Sequence, residues 1–309
     1  MKKKVIIDCD PGYDDAIALM LAFGSGELEV EAVTTCSGNQ TQEKVHRNAL
    51  RLLSNMGVSA IVARGSNKPL MRELSTAGSV HGESGLDGVE LEETTIKPSE
   101  SHAVEVIADI VRSSREKVTL VPIGPLTNIA LFTSMYPELK ASVDSIILMG
   151  GAWRGGNVTP VAEFNIKTDP EAAEIVFSSG IPIVMCGLDV TRKALVYADD
   201  IRRIRDVGNR SAKIACQILE KYSEFYYGKT SLDGAPIHDA CAVAYAIAPE
   251  MFTSLECHVD VETKGLHTDG QTVVDMEGRL GRQLNARVVL DLDRERLLDM
   301  IISAVGRLE

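Results

Sequence analysis

Lys4-Val-Ile-Ile-Asp8-Cys-Asp10-Pro-Gly-Tyr-Asp14-Asp15-Ala-Ile-Ala-Leu19 is the stretch on which the reading of this chain turns. Val5-Ile6-Ile7 is a short β-branched run, which predicts a buried strand, and Ala16 to Leu21 predicts a helix. Between them, four aspartates fall within eight positions around a Pro-Gly turn. Helix capping and the helix dipole account for one or two of these acids, with Asp14 or Asp15 in those roles. They do not account for four. Carboxylates this close repel one another unless a cation sits among them, and hard cations such as Ca²⁺ or Mg²⁺ take oxygen ligands. The carboxyl end of a strand in an open α/β sheet is also where ligands bind.

Working outward, the 309 residues are 45% hydrophobic and 25% charged, an ordinary globular balance. Aromatics are only 5%, so an aliphatic, alanine-rich core is expected. A formal charge of −12 argues against nucleic acid or an anionic membrane surface as partner, since both need clustered Lys and Arg. The N-terminus meets an aspartate after three apolar residues, too short for a signal-peptide core, and no run is long enough to span a bilayer. The six cysteines are dispersed without a C-x-x-C pair, which predicts free thiols in a reducing compartment, the cytoplasm.

Strand and helix signals alternate for most of the length. Leu28–Thr34, Ala60–Ala63, Val118–Ile123, Ser145–Met149 and Ile181–Met185 predict strands, and Ala286–Leu290 a last one. Glu43–Met56, a helix opening at Asp169-Pro170-Glu171, most of Asp199–Tyr227, and His238–Ala248 predict helices. Asn67 to Ser101 is rich in Pro, Gly, Ser and Glu and predicts a long functional loop. Such alternation implies βαβ units: a single-domain open, mainly parallel, Rossmann-like sheet over residues 1–309, with helices on both faces.

Unusual polar residues gather after the predicted strands. Gly38-Asn39 follows the second, Gly124-Pro125 the fourth, and Met149-Gly-Gly151 is followed by Asn157 and by Glu163-Phe-Asn165. His238-Asp239 opens a late helix. In a parallel sheet these ends converge on one edge. Taken in order, Asp8-x-Asp10-Pro-Gly-x-Asp14-Asp15-Ala and these later motifs resemble the inosine–uridine-preferring nucleoside hydrolase family. The likeness runs from near residue 4 to at least residue 239, and Gly270-x-Thr-Val-Val-Asp275 is similar to pyrimidine-preferring members.

The resemblance implies Ca²⁺-dependent hydrolysis of the N-glycosidic bond of ribonucleosides, uridine and cytidine first and inosine second. It implies a Ca²⁺ ion held by Asp10, Asp15, Asp239 and the backbone carbonyl of Ile123. Asp10 is implied as the base that activates water, and His238 is the candidate acid toward the leaving base. Asp14 and Asn39 are implied to face the ribose, with Met149, Asn157, Glu163 and Asn165 on the sugar and His81 in a base-side lid. Family likeness also implies a homodimer or homotetramer. Tyr222, Tyr226 and Tyr227 lie where a ring could stack on the base, although their spacing equally suits a packed helix face. Two other readings stay open: a nucleoside or sugar sensor without turnover, and an Asp-nucleophile phosphatase. The phosphatase is disfavoured by Gly12 where those enzymes carry Thr or Val and by the absence of a phosphate-holding lysine motif.

Overall fold

The computed structural model describes residues 2–94, 96–227 and 232–309. β1 (Lys3–Cys9) leads through α1 (Tyr13–Gly24) to β2 (Leu28–Thr35), and α2 (Gln42–Asn55) leads on to β3 (Ile61–Arg64). The long loop holds one short helix, α3 (Gly78–His81). After α4 (Ala103–Ser113) come β4 (Val118–Pro122), α5 (Thr127–Met135) and β5 (Val143–Met149). α6 (Phe164–Thr168), α7 (Pro170–Phe177), β6 (Ile183–Cys186) and the one-turn α8 (Leu188–Thr191) follow. A two-stranded ribbon of β7 (Leu195–Val196) and β8 (Ala235–Pro236) brackets α9 (Ala198–Arg205) and α10 (Arg210–Tyr226). The chain closes with α11 (His238–Ile247), β9 (Phe252–Val261), β10 (Thr272–Asp275), β11 (Ala286–Leu292) and α12 (Arg294–Val305).

The main sheet has the order β10-β9-β11-β6-β5-β4-β1-β2-β3. Every pairing from β11 to β3 is parallel; at the other edge β9 alone is reversed, pairing antiparallel with both β11 and β10. From β1 the chain steps outward to β2 and β3, then returns to lay β4 on the other side of β1 and continues to β5 and β6. The β1/β4 boundary is therefore the topological switch point, where connections leave in opposite directions and a crevice opens at the carboxyl ends. Two apolar clusters cover the two faces. One joins α1, α2, α10, α11 and α12 to the sheet, and the other joins α4, α5 and α7. This is the open α/β architecture expected, with boundaries shifted by a residue or two. No helix among the described residues is long and apolar enough to cross a membrane.

Two helices differ from the rest. In α1 every residue from Tyr13 to Ala22 is buried, and in α11 every residue from His238 to Ala246. A helix that is apolar all round belongs inside the fold, not on its surface. α1 packs against both α11 and α12, so its start cannot shift without repacking the core. Since Ile17 is fully buried in α1, Ile17→Ala is expected to cost about 2–5 kcal/mol through lost contacts and a residual cavity, read as a lowered denaturant midpoint at unchanged m-value.

Candidate active site

The site is built where β1 and β4 end and where the two buried helices begin. Gly12 is the N-cap of α1 and has no side chain with which to cap it. Asp15 does that work from the third helical position: its Oδ2 accepts from Gly12 N (2.9 Å) and its Oδ1 from Asp10 N (3.1 Å). With Asp15 turned back onto the Pro-Gly turn, its neighbour Asp14 lines a cavity. Asp239, in the first turn of α11, lines the same cavity. Asp14, Asp15 and Asp239 each offer a carboxylate oxygen, and all three oxygens lie within 4.8 Å of one another.

The resemblance implies Asp10 as an ion ligand and Asp14 on the ribose; Asp14 is one of the three carboxylates that lie this close together. Asp10 is 1% exposed and does not line the cavity. Its Oδ2 accepts from Asn39 N (2.6 Å), while its Oδ1 is buried without a hydrogen-bond partner among the described residues. Glycines make room for it, since a Cβ on Gly38 would lie 2.1 Å from Asp10 Oδ2 and one on Gly124 2.5 Å from Oδ1. Asn39 ties the two acids together, its Nδ2 donating to Asp15 Oδ2 (3.0 Å) and to Asp10 O (3.2 Å). Asp8 lies within β1, with Oδ1 accepting from Thr34 Oγ1 (2.5 Å) and Asn128 Nδ2 (2.8 Å).

No Lys or Arg forms an ion pair with any of these five aspartates among the described residues. Burial accordingly pushes all the carboxyls up, Asp8 to about 6 and Asp14 to about 8. Asp10 and Asp239 rise well above the usual carboxylate range, burial first and neighbouring carboxylates second. Asp15 rises less freely, because the Gly12 and Asp10 N–H groups favour its ionised form. A buried all-oxygen cluster with an unpartnered oxygen beside it and no Lys or Arg paired to it among the described residues fits a hard divalent ion.

On another side of the cavity, Glu163 caps α6, accepting from Asn165 N (3.0 Å), Ile166 N (3.2 Å) and Gly151 N (2.9 Å). Asn165 Nδ2 donates to Ile123 O (2.8 Å) and Met149 O (3.1 Å), which fixes the ends of β4 and β5 relative to each other. The Ile123 carbonyl thus already accepts one bond; a carbonyl oxygen has a second lone pair. Asn157 is exposed at the rim, its Oδ1 accepting from Phe164 N (2.9 Å). All six of Asn39, Ile123, Met149, Asn157, Glu163 and Asn165 line the cavity, whose volume is about 400 Å³.

The opposite wall is aromatic. His81, Tyr222, Phe225, Tyr226 and His238 line it, whereas Tyr227 is 65% exposed and does not. Tyr222 stacks on His81 with centroids 5.9 Å apart and 24° between planes, and meets Tyr226 edge-on at 5.1 Å. Tyr13 N donates to His81 Nδ1 (3.2 Å), which leaves the proton on Nε2. Gly12 is obligatory here, since a Cβ would lie 2.5 Å from His81 Nδ1. The long loop that carries His81 is held by Asn48, whose Nδ2 donates to both Pro11 O and Ser84 O. His238 lies 2.7 Å from Thr191 Oγ1 through Nδ1 and 3.5 Å from the Tyr226 hydroxyl through Nε2. Burial pulls both His81 and His238 down to about 3, so both are neutral at pH 7.

Sequence reasoning did not single out Phe225, Thr191 or the Ser75–Val80 wall. The repeat of aromatics at 222, 225 and 226 was the available signal for the first. Thr191 gave none.

Comparison with known proteins shows the family. The model of the inosine-uridine preferring nucleoside hydrolase family matches residues 5–299. The pyrimidine-specific ribonucleoside hydrolase RihA of Photobacterium profundum is 50% identical over 303 residues, covering 97% of this chain and 98% of that protein. Its counterpart in Salmonella paratyphi C is 52% identical, with 97% of each covered. Among solved structures, a purine-preferring ribonucleoside hydrolase from Gardnerella vaginalis superposes with a TM-score of 0.93 at 32% identity, covering 98% of both chains. The cavity floored by carboxylates at the switch point and walled by amides and aromatic rings thus sits in a fold shared with enzymes that cleave nucleosides. The chain belongs to the inosine-uridine preferring nucleoside hydrolase family and is a hydrolase of the ribonucleoside N-glycosidic bond.

Proposed function

We propose that this enzyme hydrolyses pyrimidine ribonucleosides, uridine and cytidine, with Ca²⁺ held by Asp10, Asp15, Asp239 and the Ile123 carbonyl. The observation that carries the site is the cluster of buried carboxylates that, among the described residues, has no paired Lys or Arg and leaves Asp10 Oδ1 without a partner. Asp14 joins the cluster and also lines the cavity, so it serves as a further ion ligand or as an acceptor for a ribose hydroxyl. The pyrimidine assignment rests on the relatives at about half identity, which carry that specificity in their names.

Once bound, the ion supplies positive charge that lowers the pKa of water and attracts the vicinal hydroxyls of the sugar. The protein does the rest. The glycosidic C–N bond breaks with its electron pair moving to the nucleobase, and positive charge builds on the ribose ring as in other glycosyl transfers. A buried, carboxylate-lined floor stabilises that charge far better than water would. Asp10, whose Oδ1 has no partner among the described residues, takes a proton from the attacking water as the water oxygen bonds to the anomeric carbon; the departing nucleobase then takes up a proton from solvent and Asp10 releases the one it accepted, giving ribose and free base. His238, neutral and beside Tyr226, offers a hydrogen bond to the departing base. Asn39, Asn157, Glu163 and Asn165 orient the ribose, and His81 with Tyr222 closes over the base.

Asp10→Asn preserves shape and removes the proton acceptor. Uridine turnover is expected to fall about 10²–10⁴-fold with an unchanged far-UV CD spectrum, and near-wild-type kcat would remove Asp10 from that role. A substrate panel checks the specificity. Uridine and cytidine should exceed inosine and adenosine in kcat/KM, and 2′-deoxyuridine should fall at least about 100-fold below uridine, because a site built to bind a hydroxyl rejects its absence. Equal rates on ribo and deoxy forms would contradict the sugar assignment, and faster inosine turnover would contradict the base assignment.

A further inference from the structure

α8 is one turn long, yet it and the residue after it reach the 153–156 loop on one side and the cavity-lining His238 on the other. Asp189 accepts from the N–H groups of Trp153 (2.6 Å) and Arg154 (3.2 Å), and Arg192 donates to Gly156 O (2.5 Å). These contacts shape the loop that leads into the sugar-side residues. Thr191 reaches the other way, to His238 Nδ1 at 2.7 Å.

Thr191 is fully buried, and His238 is the hydrogen-bond partner of its hydroxyl among the described residues. That fixes the direction of the bond. Were Nδ1 protonated and donating, the hydroxyl proton would be buried without an acceptor, which proteins strongly avoid. The hydroxyl therefore donates to an unprotonated Nδ1, and in the neutral ring the proton sits on Nε2. Nε2 is the nitrogen on the Tyr226 side, and His238 and Tyr226 both line the cavity.

We propose that Thr191 is a positioning residue: it holds His238 in the Nε2–H tautomer, so that a donor and not a lone pair meets the departing nucleobase. This rests on the assignment of His238 to the base side. As the C–N bond breaks, the electron pair goes to the base. A lone pair at Nε2 would repel it, whereas Nε2–H stabilises it while keeping its own proton. The neighbouring imidazole nitrogen selects the useful one through the bond it makes.

The test compares Thr191→Val, Thr191→Ser and His238→Ala on uridine and on 4-nitrophenyl β-D-ribofuranoside, whose nitrophenolate leaves without a hydrogen-bond donor. Thr191→Val is expected to lower kcat on uridine about 10- to 100-fold, the scale of one lost charge-stabilising hydrogen bond, with KM within threefold. Its turnover of the nitrophenyl riboside should fall less than threefold, and Thr191→Ser should restore uridine turnover. Histidine ¹⁵N spectra should report Nε2–H for His238 in the wild type and a loss of that preference in Thr191→Val. Equal losses on both substrates, unchanged uridine turnover, or an Nδ1–H tautomer in the wild type would overturn the proposal. If His238→Ala also fails to separate the two substrates, the base-side assignment of His238 falls. If His238→Ala separates them and Thr191→Val does not, only the role of Thr191 falls.

Discussion

Carboxylates at the starts of α1 and α11 repel one another in a place that water barely reaches, and the rest of the structure is arranged to hold them there. Asp10, Asp14, Asp15 and Asp239 are each at most 6% exposed. Two devices of the protein offset part of that repulsion. The exposed N–H groups of two helix starts carry partial positive charge, and the amide N–H groups of Gly12, Asp10 and Asn39 donate to Asp15 and Asp10. Neither neutralises whole charges. In the proposed reading a cation completes the balance, and the same charge is what water activation and sugar binding require.

The fold supplies rigidity for this arrangement. Both acid-bearing helices are buried on all sides, so packing fixes their first turns more firmly than surface helices could be fixed. The β1/β4 switch point opens the crevice at those same turns. Around it, contacts couple walls that are distant in sequence: Asn48 ties the Pro-Gly turn to the His81 loop, and Asn165 ties β4 to β5. A small displacement of one wall is therefore felt at the others.

Much of this was legible in the sequence, and the gaps have physical causes. Period and composition placed the central strands because Val5-Ile6-Ile7 and Ser145–Met149 carry apolar residues on both faces, as fully covered parallel strands do. The aspartate cluster stood out because no capping scheme uses four acids. Which acid faces the cavity was not legible. Asp14 and Asp15 are adjacent, and their directions depend on where the helix begins; with Gly12 as N-cap, Asp15 folds back onto the turn and Asp14 faces out. Tyr222 was ambiguous because the buried stripe of α10 and the cavity wall coincide there. Thr191 was silent, since a one-turn helix has no periodicity and its partner lies 47 residues away.

The central claim is that a hard cation completes the carboxylate cluster, and a calorimetric titration of Ca²⁺ into metal-stripped enzyme, paired with melting curves and uridine turnover, tests it most directly. The account predicts saturable binding of one ion per chain, a rise in unfolding temperature that reflects about 2.7 kcal/mol at a hundredfold excess over Kd, and turnover that appears in step with occupancy. Full turnover by the stripped enzyme, with neither heat of binding nor thermal shift on adding Ca²⁺, would contradict it.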